Sequence, residues 1–133
     1  MMDVTIATID QMEPIYDGMV RRARATLGVT GWGMQVLTLP PNWDGYPNHK
    51  HDATAQDPNQ EEVYVPLEGS AVLEADGQTF DLRPGTMARV GPRQLRRIVP
   101  GPDGIRFLAL GATPGSFDPP EWSELGAAPP VAG

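Results

Sequence analysis

The chain has no cysteine and only two histidines in its 133 residues. The first lack excludes disulfides, thiolate metal sites and cysteine nucleophiles, so any metal must be held by nitrogen and oxygen. No apolar run approaches the roughly 18 residues of a membrane span. The opening Met1-Met2-Asp3-Val4-Thr5 shows no basic stretch followed by an apolar one, so neither a secretory nor a transit segment is expected and the default location is cytoplasmic. Positive charge is scarce too. Ten Lys and Arg against 17 Asp and Glu leave a net charge of -7, which opposes the attraction that nucleic acid or an anionic membrane requires. Neither is an expected partner.

The length suits one domain, since domains most often run to about 100–150 residues. A 40% hydrophobic and 20% charged composition is that of an ordinary globular chain and not of a disordered one. Within the domain three stretches differ in character: a lead-in over 1–33, a β-rich body over 34–111 and a Pro/Gly/Ala-rich segment over 112–133. In the first, Ile15, Tyr16, Met19, Val20, Ala23 and Leu27 recur at helical spacing, with Pro14 at a first-turn position and Gly28 at a stop. This spacing predicts one amphipathic helix over Pro14–Leu27, with Arg21, Arg22 and Arg24 on its solvated side.

The body reads as short strands divided by Gly, Pro, Asn and Asp: 34–39, 62–65, 71–74, 79–82, 87–90, 95–99 and 105–110. Asp76-Gly77 between two of them is a two-residue hairpin turn, because both positions of that turn need positive φ. Many strands at this spacing predict a sandwich or barrel. In the last stretch Phe117 and Trp122 are candidates to pin an otherwise irregular segment to the body. No phosphate loop, serine elbow or dinucleotide fingerprint is present; Gly31-Trp32-Gly33 lacks the third glycine, and Trp32 and Met34 read as strand residues.

Both histidines lie in Tyr46-Pro47-Asn48-His49-Lys50-His51. Residues two apart on a strand point the same way, so His49 and His51 can converge on one ion, with a carboxylate from a neighbouring strand completing the set. Histidines so spaced also lie on exposed strand ends or make structural hydrogen bonds. Glu61 and Glu62 follow in Glu61-Glu62-Val63-Tyr64-Val65, where alternation puts Glu62 and Tyr64 on one face and Glu61 on the other. Lys50 should face away from the histidines. Six of the ten basic residues, Arg83, Arg89, Arg93, Arg96, Arg97 and Arg106, fall in one stretch that could serve an anionic small molecule.

His49, His51, Glu62 and Gly69, with six residues between the last two, resemble the first motif of the cupin superfamily, G-x5-H-x-H-x(3 or 4)-E-x6-G. The resemblance covers roughly 34–111. It implies a mostly β fold, a double-stranded β-helix or jelly-roll barrel, here preceded by the one N-terminal α-helix, and often a homodimer. It also implies a divalent metal, iron, nickel, manganese or zinc, on His49, His51 and Glu62. Trp43 stands in place of the first glycine, and ten residues separate His51 from Glu62, so 52–61 is an enlarged loop that either covers the barrel mouth or stays solvated. In the second motif Gly85 fits and Pro92 is one place late, while Arg93, Arg96 and Pro100 replace glycine, histidine and asparagine.

The fourth metal ligand is therefore missing, since a guanidinium has no lone pair to give. Arg96 is then either a substrate-binding cation, able to hold a carboxylate through two hydrogen bonds with Tyr64 lining the same pocket, or the salt-bridge partner of Glu62. Two functions follow. One is a metalloprotein acting on a polar or carboxylate-bearing small molecule, as an oxygenase or isomerase if an enzyme; its catalytic residues are not identified. The other is a non-catalytic small-molecule binder in which Arg96 replaces the metal's charge.

Overall fold

The computed structural model describes residues 2–118. Seven strands form one antiparallel sheet: β1 (Pro14–Ile15), β2 (Val20–Arg21), β3 (Gly33–Leu39), β4 (Glu61–Ala75), β5 (Gln78–Leu82), β6 (Ala88–Val90) and β7 (Arg97–Ala112). Their order is β1-β2-β3-β7-β4-β5, with β6 on β4. The ladders do not close into a ring among the described residues, so the architecture is an open, curled sheet and not the closed barrel expected. Among the described residues no helix is long and apolar enough to cross a membrane.

The expected N-terminal helix over Pro14–Leu27 is not formed. Only α1 (Ala23–Leu27) is α-helical, and it ends as expected on Gly28 at φ 79°. Upstream, Tyr16, Asp17 and Gly18 all take positive φ, which turns the chain back on itself between β1 and β2. The helical spacing of the apolar residues is overridden because β3 has a free edge. Val20 and Arg21 pair with Leu37 and Val36 there, and Val20 becomes buried. Pro14–Ile15 and Val20–Arg21 therefore belong to the same sheet as the body.

Two pairs of expected strands are continuous. The segments 62–65 and 71–74 join in β4, and 95–99 and 105–110 join in β7, pairing along most of their lengths. The join carries two register shifts: Leu67 is extra between the Pro66–Phe107 and Glu68–Arg106 pairs, and Gly69 faces Ile105 while Ala71 faces Pro100, so 101–104 bow out of the ladder. Between them they reverse which positions face inward on both strands. Tyr64 and Pro66 are buried before it and Ala71 and Leu73 after it; on β7 the inward set changes from Ile98 and Pro100 to Ile105, Phe107 and Ala109. Gly69 permits this crossing at φ 73°, where a Cβ would come within 2.1 Å of the Gly104 carbonyl oxygen.

Asp76 and Gly77, both at positive φ, make the expected hairpin between β4 and β5. The core comprises Val20, Leu37, Leu39, Tyr64, Ala71, Leu73, Leu82, Val90, Ile98, Ile105, Phe107 and Ala109, with Trp43 and Tyr46 packed against it. Trp32 lies just before β3 and is half exposed, not a strand residue, and Met87 is exposed ahead of β6. Phe117, expected to pack on the body, is 59% exposed; Trp122 lies outside the described residues.

Candidate metal centre

The site is built where β4 is flanked by small residues. Glu62 stands opposite Gly111 on β7 and Val90 on β6, and Tyr64 stands opposite Ala109 and Ala88, which leaves room for two large polar side chains on one face. Glu61 points the other way and pairs with Arg89, as alternation requires. His49 and His51 reach the same place on an extended segment laid against the chain before β7. His49 exchanges both backbone hydrogen bonds with Arg96, and the His51 amide donates to the Pro92 carbonyl. The two rings meet edge to face with centroids 5.0 Å apart. Ligand atoms of His49, His51 and Glu62 lie within 4.8 Å of one another.

Each imidazole is oriented from behind. His49 Nδ1 lies 3.0 Å from the Pro47 carbonyl oxygen and His51 Nδ1 lies 2.7 Å from that of Asp57. A carbonyl only accepts, so both Nδ1 atoms carry the hydrogen and a neutral ring turns its Nε2 lone pair toward the site. His51 Nε2 then stands 3.0 Å from Glu62 Oε1, two acceptors face to face unless a cation or a proton lies between them.

Arg96 settles its two alternatives geometrically. It is fully buried and its Nη2 donates to Glu62 Oε1, while Nε donates to the Tyr64 hydroxyl at 3.1 Å and Nη1 to the Gln94 carbonyl at 2.9 Å. With no exposed surface it is a support of Glu62 and not a cation offered to substrate. Tyr64, also buried, donates to Glu62 Oε1 at 2.9 Å. Of the other arginines of the expected cluster, Arg89 pairs with Glu61, Arg106 with Asp10 and Thr38, and Arg97 with the Asp44 carbonyl. Lys50 turns away to Asp52, as expected.

Burial shapes the titration of the site. Burial lowers His49, with the Arg96 charge adding to it against the Pro47 carbonyl, so its neutral, ligating form is favoured. Tyr64 is raised by burial and by its neighbours Tyr46 and Glu62. Tyr46 is pushed up to about 12, first by burial and then by Glu62. Burial works against the Arg96 charge, but Tyr64 and Glu62 outweigh it and raise its pKa. A depressed histidine contributes stability that is present above its unfolded value near 6.5 and is lost as pH falls through the folded value. In chelated protein the urea midpoint should accordingly drop between about pH 7 and 5.5, and His49→Gln should flatten that drop. An identical profile in the variant would refute the assignment.

The 52–60 loop is folded onto the site and does not stand free. Besides the Asp57 carbonyl on His51, the Asn59 amide donates to the His51 carbonyl at 2.5 Å. At its base Asp52 is held down to about 2 by bonds from Thr54 and by Lys50. Ala55, Gln56, Asp57 and Gln60 help line an open cleft of about 1340 Å³ that contains His49, His51, Glu62, Tyr64 and Tyr46. Tyr46, whose ring centroid lies 5.5 Å from that of His49, carries a place in the site that the sequence reading missed. Its position three residues before His49 was the only local signal.

No protein-family model and no curated protein matches the sequence. Solved structures do. A cupin protein from Bacteroides fragilis superposes with a TM-score of 0.67 at 23% identity, covering 89% of this chain and 91% of that one. The chain has the cupin fold. A Cupin 2 conserved barrel domain protein from Salinispora arenicola is similar at a TM-score of 0.64 and 14% identity, over 87% and 92% of the two chains. A sugar phosphate isomerase from Silicibacter pomeroyi is similar at 0.59 and 22%, over 70% of this chain and 57% of that one.

Within this cupin fold the donor set fits a divalent cation: two oriented Nε2 atoms and one carboxylate, gathered at one end of a cleft. What differs from a four-ligand site is Arg96, which takes part of the Glu62 charge from the second motif's histidine position.

Proposed function

We propose that the chain is a small cupin-fold metalloprotein that holds a divalent ion through His49, His51 and Glu62 and binds a small molecule in the adjoining cleft. The observation that carries this reading is the pair of imidazoles with both Nδ1 atoms on backbone carbonyls, which leaves His51 Nε2 facing a carboxylate oxygen at 3.0 Å. A metal supplies Lewis-acid polarisation of a bound oxygen and positions for the incoming molecule. The chain's own residues do the rest. The Pro47 and Asp57 carbonyls fix the rings, Tyr64 and Arg96 hold the Glu62 carboxylate in place, and the 52–60 loop borders the mouth.

Elemental analysis of untagged protein after incubation with manganese, iron, nickel or zinc tests it. About one equivalent is expected, falling sharply in His51→Ala; less than about a tenth of an equivalent with every metal would overturn it. A second reading is favoured by the Arg96–Glu62 pair. There the ion is dispensed with, a proton bridges His51 and Glu62, and the cleft binds its small molecule without metal. Thermal stabilisation by a ligand that persists after chelation would select this reading. The isomerase named for the Silicibacter pomeroyi structure makes isomerisation one chemistry to assay.

A further inference from the structure

The walls of the cleft and the fate of its cations define the class of molecule it takes. Of the basic side chains along it, Arg22 is paired with Glu13 at 2.9 Å and Lys50 with Asp52 at 3.2 Å, while Arg24 donates to the Val29 carbonyl at 3.0 Å. Arg96 is sealed beneath Glu62. The cleft's own acids, Asp57 and Glu62, add to a chain of net charge -7. An anionic body held away from the donor cluster would thus meet Arg24 as the cleft cation without an acidic partner among the described residues.

One flank of the cleft is apolar, while Thr30, Gln35, Gln56, Gln60, Thr113 and Ser116 line other parts of it. Val20, Leu37, Leu39, Tyr64 and Ala109 belong to the core cluster and also border the cleft, and Trp43 and Tyr46 are packed against that cluster with their faces partly exposed. Trp43 is set by its surroundings, its ring lying so close to Gly45 that a Cβ there would fall 2.4 Å from it. Met19 and Met34 extend the wall with adaptable thioethers. One end of the cleft is thus a polar donor cluster and its flank is aromatic and aliphatic.

We propose that the ligand has an apolar, ring-sized body and a compact oxygen head that meets the His49-His51-Glu62 cluster. The body packs against Trp43, Met19 and Leu39. The inference rests on the metal reading for the head only; the wall is independent of it.

Isothermal titration with four probes tests it on manganese-loaded and on chelated protein. Salicylate has body and head, phenol the body, oxalate the head, and glucose 6-phosphate a polar body with a dianion. Salicylate should bind loaded protein at least ~10-fold more tightly than oxalate or glucose 6-phosphate, because ring burial contributes at about 25 cal/mol per Å². Phenol should bind more weakly and equally with and without metal. Trp43→Ala and the milder Met19→Gln should each weaken phenol and salicylate severalfold while leaving metal stoichiometry unchanged.

Oxalate or glucose 6-phosphate binding as tightly as salicylate overturns the proposal. So does phenol affinity that neither variant alters. Should salicylate bind loaded and chelated protein equally, the metal reading fails while phenol's sensitivity to the two variants still supports the apolar wall.

Discussion

Glu62→Ala is expected to destabilise the chelated protein by about 3–5 kcal/mol, read as a lowered urea midpoint, because it strands the Arg96 charge in the interior. Arg96 has no exposed surface, and Glu62 is its only carboxylate partner among the described residues. The Tyr64 hydroxyl and two backbone carbonyls would remain as its acceptors, and none carries a charge. Adding Arg96→Met should return at least half of the loss, since removing both members of a buried pair costs far less than removing one. Adding Tyr64→Phe should return more, as the phenol loses both partners with them. A single-variant cost under about 1 kcal/mol would show that water reaches the guanidinium and that the pair is not a structural unit.

The same pair explains how a site with one ligand fewer can keep its shape. In apo protein a carboxylate among imidazoles needs something to hold it, and here the guanidinium does so through Nη2 while Tyr64 adds a second bond to the same oxygen. The positive charge that steadies Glu62 also repels an incoming cation. Arg96→Met should therefore alter metal affinity as well as stability, which makes chelated protein the right reference for the first measurement.

Replacing 53–58 by two glycines should weaken metal binding about 10–100-fold, the usual effect of losing an outer support of a ligating histidine. The segment carries the Asp57 carbonyl that receives His51 Nδ1–H, so its removal frees the ring to rotate and to take the other tautomer. Urea stability should change little, because most of 53–58 is exposed and outside the ladders. Asp52→Ala is the control. It dissolves the turn with Thr54 and the ion pair with Lys50 but leaves the Asp57 carbonyl in the chain, so any loss should be much smaller. Metal affinity unaffected by the shortening, measured by competition with a chromophoric chelator, would assign the loop no part in the site.

Legibility in the sequence followed the range of the physics. The Asp76-Gly77 hairpin, the Gly28 helix stop and the opposite facing of Glu61 and Glu62 are settled within a few residues, by φ preferences and by the period of a strand, and each is found in the structure. The same local reasoning failed at Pro14–Leu27. An apolar pattern of helical period there met the open edge of β3, and pairing with it won over helix formation for all but the last turn. The continuity of β4 and β7 was invisible for a related reason, because the glycines and prolines at their centres read as breaks until paired across two register shifts.

By itself, then, the sequence determined that this is a mostly β chain whose only imidazoles stand two apart, with Glu62 and Tyr64 on a shared strand face and no third histidine to offer as a ligand. Tertiary structure alone decided that Arg96 grips Glu62 and does not face the cleft, that Tyr46 stands beside His49, and that the enlarged loop reaches back to orient His51. The division has one cause. Turn chemistry and strand alternation act between neighbours in the chain, whereas a guanidinium 34 residues from its carboxylate finds it only once β4 and β7 have paired.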